Sequence, residues 1–206
     1  MKHIWKFAAA LVMLFAATAF ADPAEGTYSM LNPPQPTHSG KKIEVLEFFF
    51  YGCPHCYHLQ VALRDWEKTM PKDVQLDFVP VAFAPSAEPM AYTYYALQEM
   101  KLRDKLHDKL YDAWNVDHLY LTETDQIADF VAQQGVDRQK FLDFYNSFSV
   151  RSEVMQSKQM VRSYQIDGTP TLVVDGRYIV PSLGPENTIR LLDEVIAKVR
   201  RERGKH

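Results

Sequence analysis

The 206-residue chain is short of several things. It has only two cysteines, Cys53 and Cys56, which excludes a disulfide-stapled miniprotein and a four-cysteine zinc module. Glycine is scarce at 8 residues, and the chain has no low-complexity tract or internal repeat, which excludes fibrous and disordered architectures. Neither sign of charge dominates: 23 Lys and Arg stand against 26 Asp and Glu, a net −3 that offers nothing to a nucleic acid. Beyond the first 21 residues, no apolar run approaches the roughly 20 residues that a membrane span needs.

That first segment reads as a cleavable secretory leader. Lys2 and Lys6 supply a positive start, Phe7 to Ala17 is apolar, and Ala19-Phe20-Ala21 is an A-x-A cleavage pattern, placing the cut after Ala21. Export would put the two cysteines in a compartment where disulfides persist.

In the remainder, 22–206, Asp22 to Lys42 is a polar, Pro-bearing lead-in. Ile43 to Phe50 (IEVLEFFF) has the composition of a strand buried on both faces. Apolar residues at Cys56, Leu59, Leu63, Trp66 and Met70 then trace a helix that Pro71 ends. Val74 to Phe83 reads as a second strand, with Pro80 implying an edge or an irregularity.

About 86–165 should be wholly helical. Thr122-Glu123-Thr124-Asp125 is a capping-box pattern, Gly135 a stop and Asp137 a new start. Thr171–Val174 and Tyr178–Val180, joined at Asp175-Gly176, make a hairpin, and Ile189, Leu192, Ile196 and Val199 a last amphipathic helix. Arg200 to His206 reads as a frayed, solvated end. The expected fold class is α/β: a small sheet covered by helices and interrupted by an all-helical insertion.

The chemistry concentrates at Cys53-Pro54-His55-Cys56, where a buried strand passes into a helix. A sulfur at a helix N-terminus meets unpaired N–H groups and the positive end of the macrodipole, which favour the thiolate. Pro54 suits the first turn, and His55, when cationic, adds a positive neighbour. Cys56 lies one turn on, within reach of a small disulfide. A stabilised thiolate implies an unstable, strongly oxidising disulfide.

Rival readings are weaker. Zinc wants four ligands, and His55 and His58 cannot easily turn to one metal with both sulfurs. A c-type haem needs His after the second cysteine, where Tyr57 stands. A purely structural disulfide across four residues would stabilise little. No flavin, nicotinamide or metal signature is visible, so no cofactor is expected.

Cys53-Pro54-His55-Cys56, with Gly168-Thr169-Pro170 ahead of a strand, resembles the thioredoxin superfamily. The run Val45 to Tyr57, the leader and the insertion resemble the DsbA family of periplasmic thiol:disulfide oxidoreductases in particular. The resemblance implies a thioredoxin-like fold in which Cys53 forms a mixed disulfide with a substrate thiol and Cys56 resolves it. It also implies a cis Pro170 opposite the pair, with Thr169 offering backbone groups to an extended substrate. Reduced or unfolded exported proteins would be the substrates and a quinone-linked, DsbB-like inner-membrane protein the reoxidant. The protein would act as a monomer in the periplasm. A reductase or isomerase on the same fold, or a non-catalytic chaperone-like binder, are the alternatives.

Glu47 is singled out as a carboxylate inside a run that should be buried, where its raised pKa would let it relay a proton to Cys56. The chain departs from the family pattern nearby. A lysine common on the next strand is absent, with Phe78 standing there, and Gln60 replaces an acidic residue. The aromatic residues Tyr92, Tyr94, Tyr95, Tyr111 and Trp114, with Met90, Met100, Met155 and Met160, are expected in the core. His38, His107 and His118 are expected at the surface.

Overall fold

The computed structural model describes residues 27–204, so the leader and its cleavage site lie outside the described residues. The apolar run forms β2 (Ile43–Phe49), every residue of it buried, after a two-residue β1 (Ser29–Met30) in the lead-in. Helix α1 (Pro54–Glu67) crosses over to β3 (Val74–Pro80), which pairs parallel to β2. A hairpin of β4 (Thr171–Val174) and β5 (Tyr178–Val180) and a final helix α7 (Pro185–Arg203) complete the other half. The sheet order is β1-β5-β4-β2-β3, with β3 at an edge as Pro80 implied.

Between β3 and β4 lie α2 (Glu88–Glu99), α3 (Arg103–Asn115), α4 (Thr124–Gln133), α5 (Arg138–Tyr145) and α6 (Phe148–Ser163). This is the helical insertion. Period-two alternation assigns the two faces of β2. Ile43 and Val45 pack with α1 and α7 through Leu59, Leu63, Leu192 and Val195. Leu46 and Phe48 face the other way, onto Val173, Tyr164 and Ile166. Glu47 therefore belongs to the α1 face. Phe49 reaches the insertion's own core, against Tyr94, Leu106 and Tyr111.

The helix after the cysteine motif stops at Glu67, short of Pro71, and Met70 packs from outside it. The start of α4 also differs from expectation. Glu123 rather than Thr122 is its N-cap and makes no side-chain capping bond, while the Thr124 hydroxyl donates to the hydroxyl of Tyr145 at 3.3 Å. Asp137 does cap α5, accepting from the Lys140 N–H at 2.7 Å, and Gly135 takes a positive φ before it.

One surface and one core expectation are corrected. His107 is 3% exposed, not a surface histidine, since helical periodicity places it on the inner face of α3 with Leu110 and Tyr111. Met155 is 67% exposed on the outer face of α6, whereas Met90 is buried and Met100 and Met160 pack at core margins.

The end of the chain is not frayed as far as Arg203. Arg200 makes a two-toothed contact with Asp73, at 2.7 and 2.9 Å. Arg203 pairs with Asp175 and donates to the carbonyls of Lys41 and Lys42 at 2.9 and 3.1 Å. Asp175 and Gly176 both take positive φ in the hairpin turn, and a Cβ on Gly176 would meet the carbonyl oxygen of Gln35 at 2.1 Å. Gly176→Ala should therefore cost about 2–4 kcal/mol, read as a lower urea midpoint at unchanged m-value.

Candidate active site

Cys53 is the N-cap residue of α1. The turn that delivers it is closed by the Cys53 N–H donating to the Phe50 carbonyl at 3.0 Å. Both cysteines are free thiols, Cys53 half-buried and Cys56 fully buried. The Cys56 N–H donates to the Cys53 sulfur at 3.4 Å, the bond a capping side chain makes. That sulfur lies 3.3 Å from the carbonyl oxygen of Thr169, and the Thr169–Pro170 bond is cis. Pro54 and His55 are exposed beside it.

One turn of helix thus creates two very different thiols. Cys53 is held down to about 5, chiefly by a hydrogen bond from the Cys56 thiol. Donation from the Thr169 side chain and from the N–H groups of Cys56 and His55 adds to it, against the opposing effect of partial burial. Cys56 is pushed far above the usual thiol range, first by burial, then by its role as donor to Cys53 and by the charge of Glu47.

Glu47 is fully buried on the α1 face of β2, and neither carboxylate oxygen has a partner. Burial, then the charges of Cys53 and Glu67, push its carboxyl up to about 8. Its cross-strand partner is Phe78, so an aromatic ring does stand beside it on β3, and the Arg103 guanidinium lies 5.0 Å from the centre of that ring. Gln60, one turn beyond Cys56, is buried with its side-chain oxygen unpartnered. A second buried carboxylate in the same run, Glu44, went unremarked in the sequence. It faces away from the cysteines and accepts from the His38 N–H at 2.7 Å.

Seven predicted residues thus converge: Cys53, Pro54, His55 and Cys56 on the α1 turn, Thr169 and Pro170 across from it, and Glu47 beneath. Among the described residues, no group of three or more His, Cys, Asp or Glu could hold a metal ion.

The model of the DSBA-like thioredoxin domain matches residues 72–193, a stretch that begins downstream of the cysteine pair. Full-length relatives include the thiol:disulfide interchange protein DsbA of Bordetella parapertussis, 38% identical over 94% of both chains. The DsbA of Pseudomonas aeruginosa is 36% identical over 93% of both. The chain belongs to the DsbA family. The crystal structure of Pseudomonas aeruginosa DsbA superposes with a TM-score of 0.82 at 34% identity, covering 86% of this chain and 94% of that one. Reduced DsbA1 of Neisseria meningitidis gives a TM-score of 0.81 at 29% identity, covering 90% and 100%. The chain is accordingly a thiol:disulfide oxidoreductase, and its DsbA-type insertion and thioredoxin-like half meet at the cysteine pair.

Asn115 went unnoticed in the sequence. It is the last residue of α3, and its amide nitrogen donates to the Tyr51 carbonyl at 2.9 Å and to the Tyr111 carbonyl at 2.8 Å. Tyr51 also joins α3 through its hydroxyl, 2.8 Å from His107 Nδ1. The periodicity of 107, 111, 114 and 115 on one helix face was the available signal.

Proposed function

We propose that the protein is a dithiol oxidase, donating a Cys53–Cys56 disulfide to reduced, newly exported proteins. The observation that carries this reading is the split between the two thiols, one held down to about 5 and its neighbour driven far up. A pair whose outer member is so stable as a thiolate gains by being reduced, and its disulfide is correspondingly oxidising.

In the oxidised protein a substrate thiolate attacks the Cys53 sulfur, forming the mixed disulfide as the Cys53–Cys56 bond breaks. Cys56 leaves as a buried thiolate and takes the proton of Glu47, which regains one from solvent. The substrate's second thiolate then attacks its own sulfur in the mixed disulfide and releases Cys53 as the stable thiolate. Two electrons have passed from two substrate thiols to the pair. His55 lies at the exposed rim beside Cys53, where a cationic imidazole would favour the thiolate. Thr169 and Pro170 border the Cys53 sulfur, and the backbone of Thr169 would pair with an extended substrate segment.

The leader of 21 residues would deliver the chain to the periplasm, where it works as a monomer and is reoxidised by a quinone-linked, DsbB-like membrane protein. Among the described residues, no helix is long and apolar enough to cross a membrane.

Equilibration of the mature protein in glutathione buffers tests the direction of transfer. A potential well above the glutathione couple, by roughly 60 mV or more, is expected for the oxidase. A value near the −270 mV or so of thioredoxin would leave a reductase on the same fold.

A further inference from the structure

Three consecutive residues leading into Cys53 are gripped by one helix of the insertion. Phe50 meets Trp114 edge to face, with ring centroids 5.3 Å apart. Gly52 leaves no room for a side chain, because a Cβ there would lie 2.5 Å from the Phe50 ring and 2.7 Å from the Trp114 ring packed on it. Between them Tyr51 is bonded twice, its hydroxyl to His107 and its carbonyl to the Asn115 amide. The second bond acts on the backbone itself. The turn from Phe50 to Cys53 is closed on its inside by the Cys53 N–H, and Asn115 holds the outward-facing Tyr51 carbonyl.

We propose that Asn115 is a positioning residue for the redox pair. By holding the Tyr51 carbonyl, it fixes the turn that aims the Cys53 sulfur at the first N–H groups of α1. This inference rests on the pair being the redox centre and says how the insertion tunes it.

The chemistry of the side chain fits the task. The amide nitrogen carries two hydrogens, and both are used, one on the last turn of its own helix and one on the active-site turn. Serine has one hydrogen and aspartate none, so neither can bridge the two carbonyls. With the bridge gone, the part-buried Tyr51 carbonyl loses a donor and the backbone of the turn loses its hold on that side. The sulfur then shifts relative to the donors that hold it, the Cys56 N–H at 3.4 Å among them. A less stabilised thiolate means a less stable reduced form, hence a more stable, less oxidising disulfide.

Asn115→Ala and Asn115→Ser are measured alongside the wild type for glutathione equilibrium, thiolate absorbance titration of Cys53 and thermal unfolding. The wild-type equilibrium alone decides whether the protein is an oxidase, and the variant-to-wild-type ratio decides the role of Asn115. Both variants should shift the equilibrium toward the protein disulfide by about three- to tenfold, tenfold being roughly 30 mV. The Cys53 titration midpoint should move to higher pH with it. An unchanged equilibrium and midpoint in variants whose melting temperature alone has fallen would overturn the proposal and leave Asn115 a structural helix cap. Asn115→Ser keeps a small polar side chain, so it supplies the answer if Asn115→Ala does not fold.

Discussion

Cys53→Ser should abolish oxidation of a reduced substrate protein, a loss of about a thousandfold or more, because no other group in the site can form the mixed disulfide. Cys56→Ser should fail differently. Offered a disulfide-bonded substrate, it keeps the Cys53 thiolate that opens the substrate disulfide but lacks the second sulfur that would displace the substrate, so mixed disulfides accumulate, visible as higher-mass bands that vanish on reduction. The asymmetry follows from burial: Cys53 is reachable, whereas Cys56 is sealed on the inner face of α1. It predicts a pH signature as well. With its thiol held down to about 5, Cys53 is about 99% thiolate at pH 7, against a few per cent for a free cysteine. Alkylation of the reduced protein should consequently stay fast from neutral pH down to about pH 5, modify one residue, and fall off below it. Modification of both cysteines at similar rates would contradict the placement of Cys56.

Glu47→Gln should stabilise the protein at alkaline pH and leave it nearly unchanged in acid. An unfolded glutamate loses its proton near 4.5, while folded Glu47 holds it up to about 8. Between those values the native state carries one proton more than the unfolded state, so stability falls as pH rises through the window. Below 4.5 both states are protonated and the buried acid imposes no such slope. The oxidised protein is the better subject, because a Cys53 thiolate contributes an opposite slope. Its lowered pKa adds stability to the reduced form as pH rises from about 5 towards 9. Removal of that thiolate charge also relieves part of the Glu47 shift, leaving burial, its largest cause. Urea unfolding of oxidised wild type and Glu47→Gln at pH 4.5 and pH 8 should therefore diverge by on the order of 3 kcal/mol at the higher pH. Parallel stabilities at both pH values would mean that Glu47 is ionised and solvated after all.

What could be read from the sequence was whatever repeats locally. The uninterrupted run from Ile43 declared a doubly buried strand, and the three- and four-residue steps after Cys56 a helix. A strand followed at once by that helix put Cys53 at a helix N-terminus before any contact was known. Phe78 was placed on the strand beside Glu47 by comparison with the family pattern, and the parallel pairing of β2 with β3 sets it directly opposite. The cis state of Pro170 came from family resemblance, not from the residues.

What escaped was set by partners far away in the chain. His107 is polar by type, and only Tyr51, 56 residues earlier, makes its burial tolerable. The arginines of the last turn looked like a solvated tail until Asp73 and Asp175 were seen to face them. Ser29–Met30 is too short to carry any periodicity and exists as a strand only because β5 is there to receive it. The cis bond at Asn32–Pro33 had no signal beyond the proline itself.

The borders of the sheet bear on the company this protein keeps. A catalyst that acts on reduced proteins before their disulfides are in place would be offered backbone looking for an unfinished ladder. On one side β1 occupies the rim of β5 but is itself only two residues long, too brief to template a visitor. On the other, β3 carries the exposed carboxylate Asp77, hydrogen-bonded to Gln75 at 2.7 Å, and ends in Pro80, which has no N–H to give. Both rims are blunted against self-propagating pairing. A client segment would thereby find no long sheet margin on which to linger or aggregate, which leaves to it the loop beside the sulfur, the place the proposed exchange assigns it.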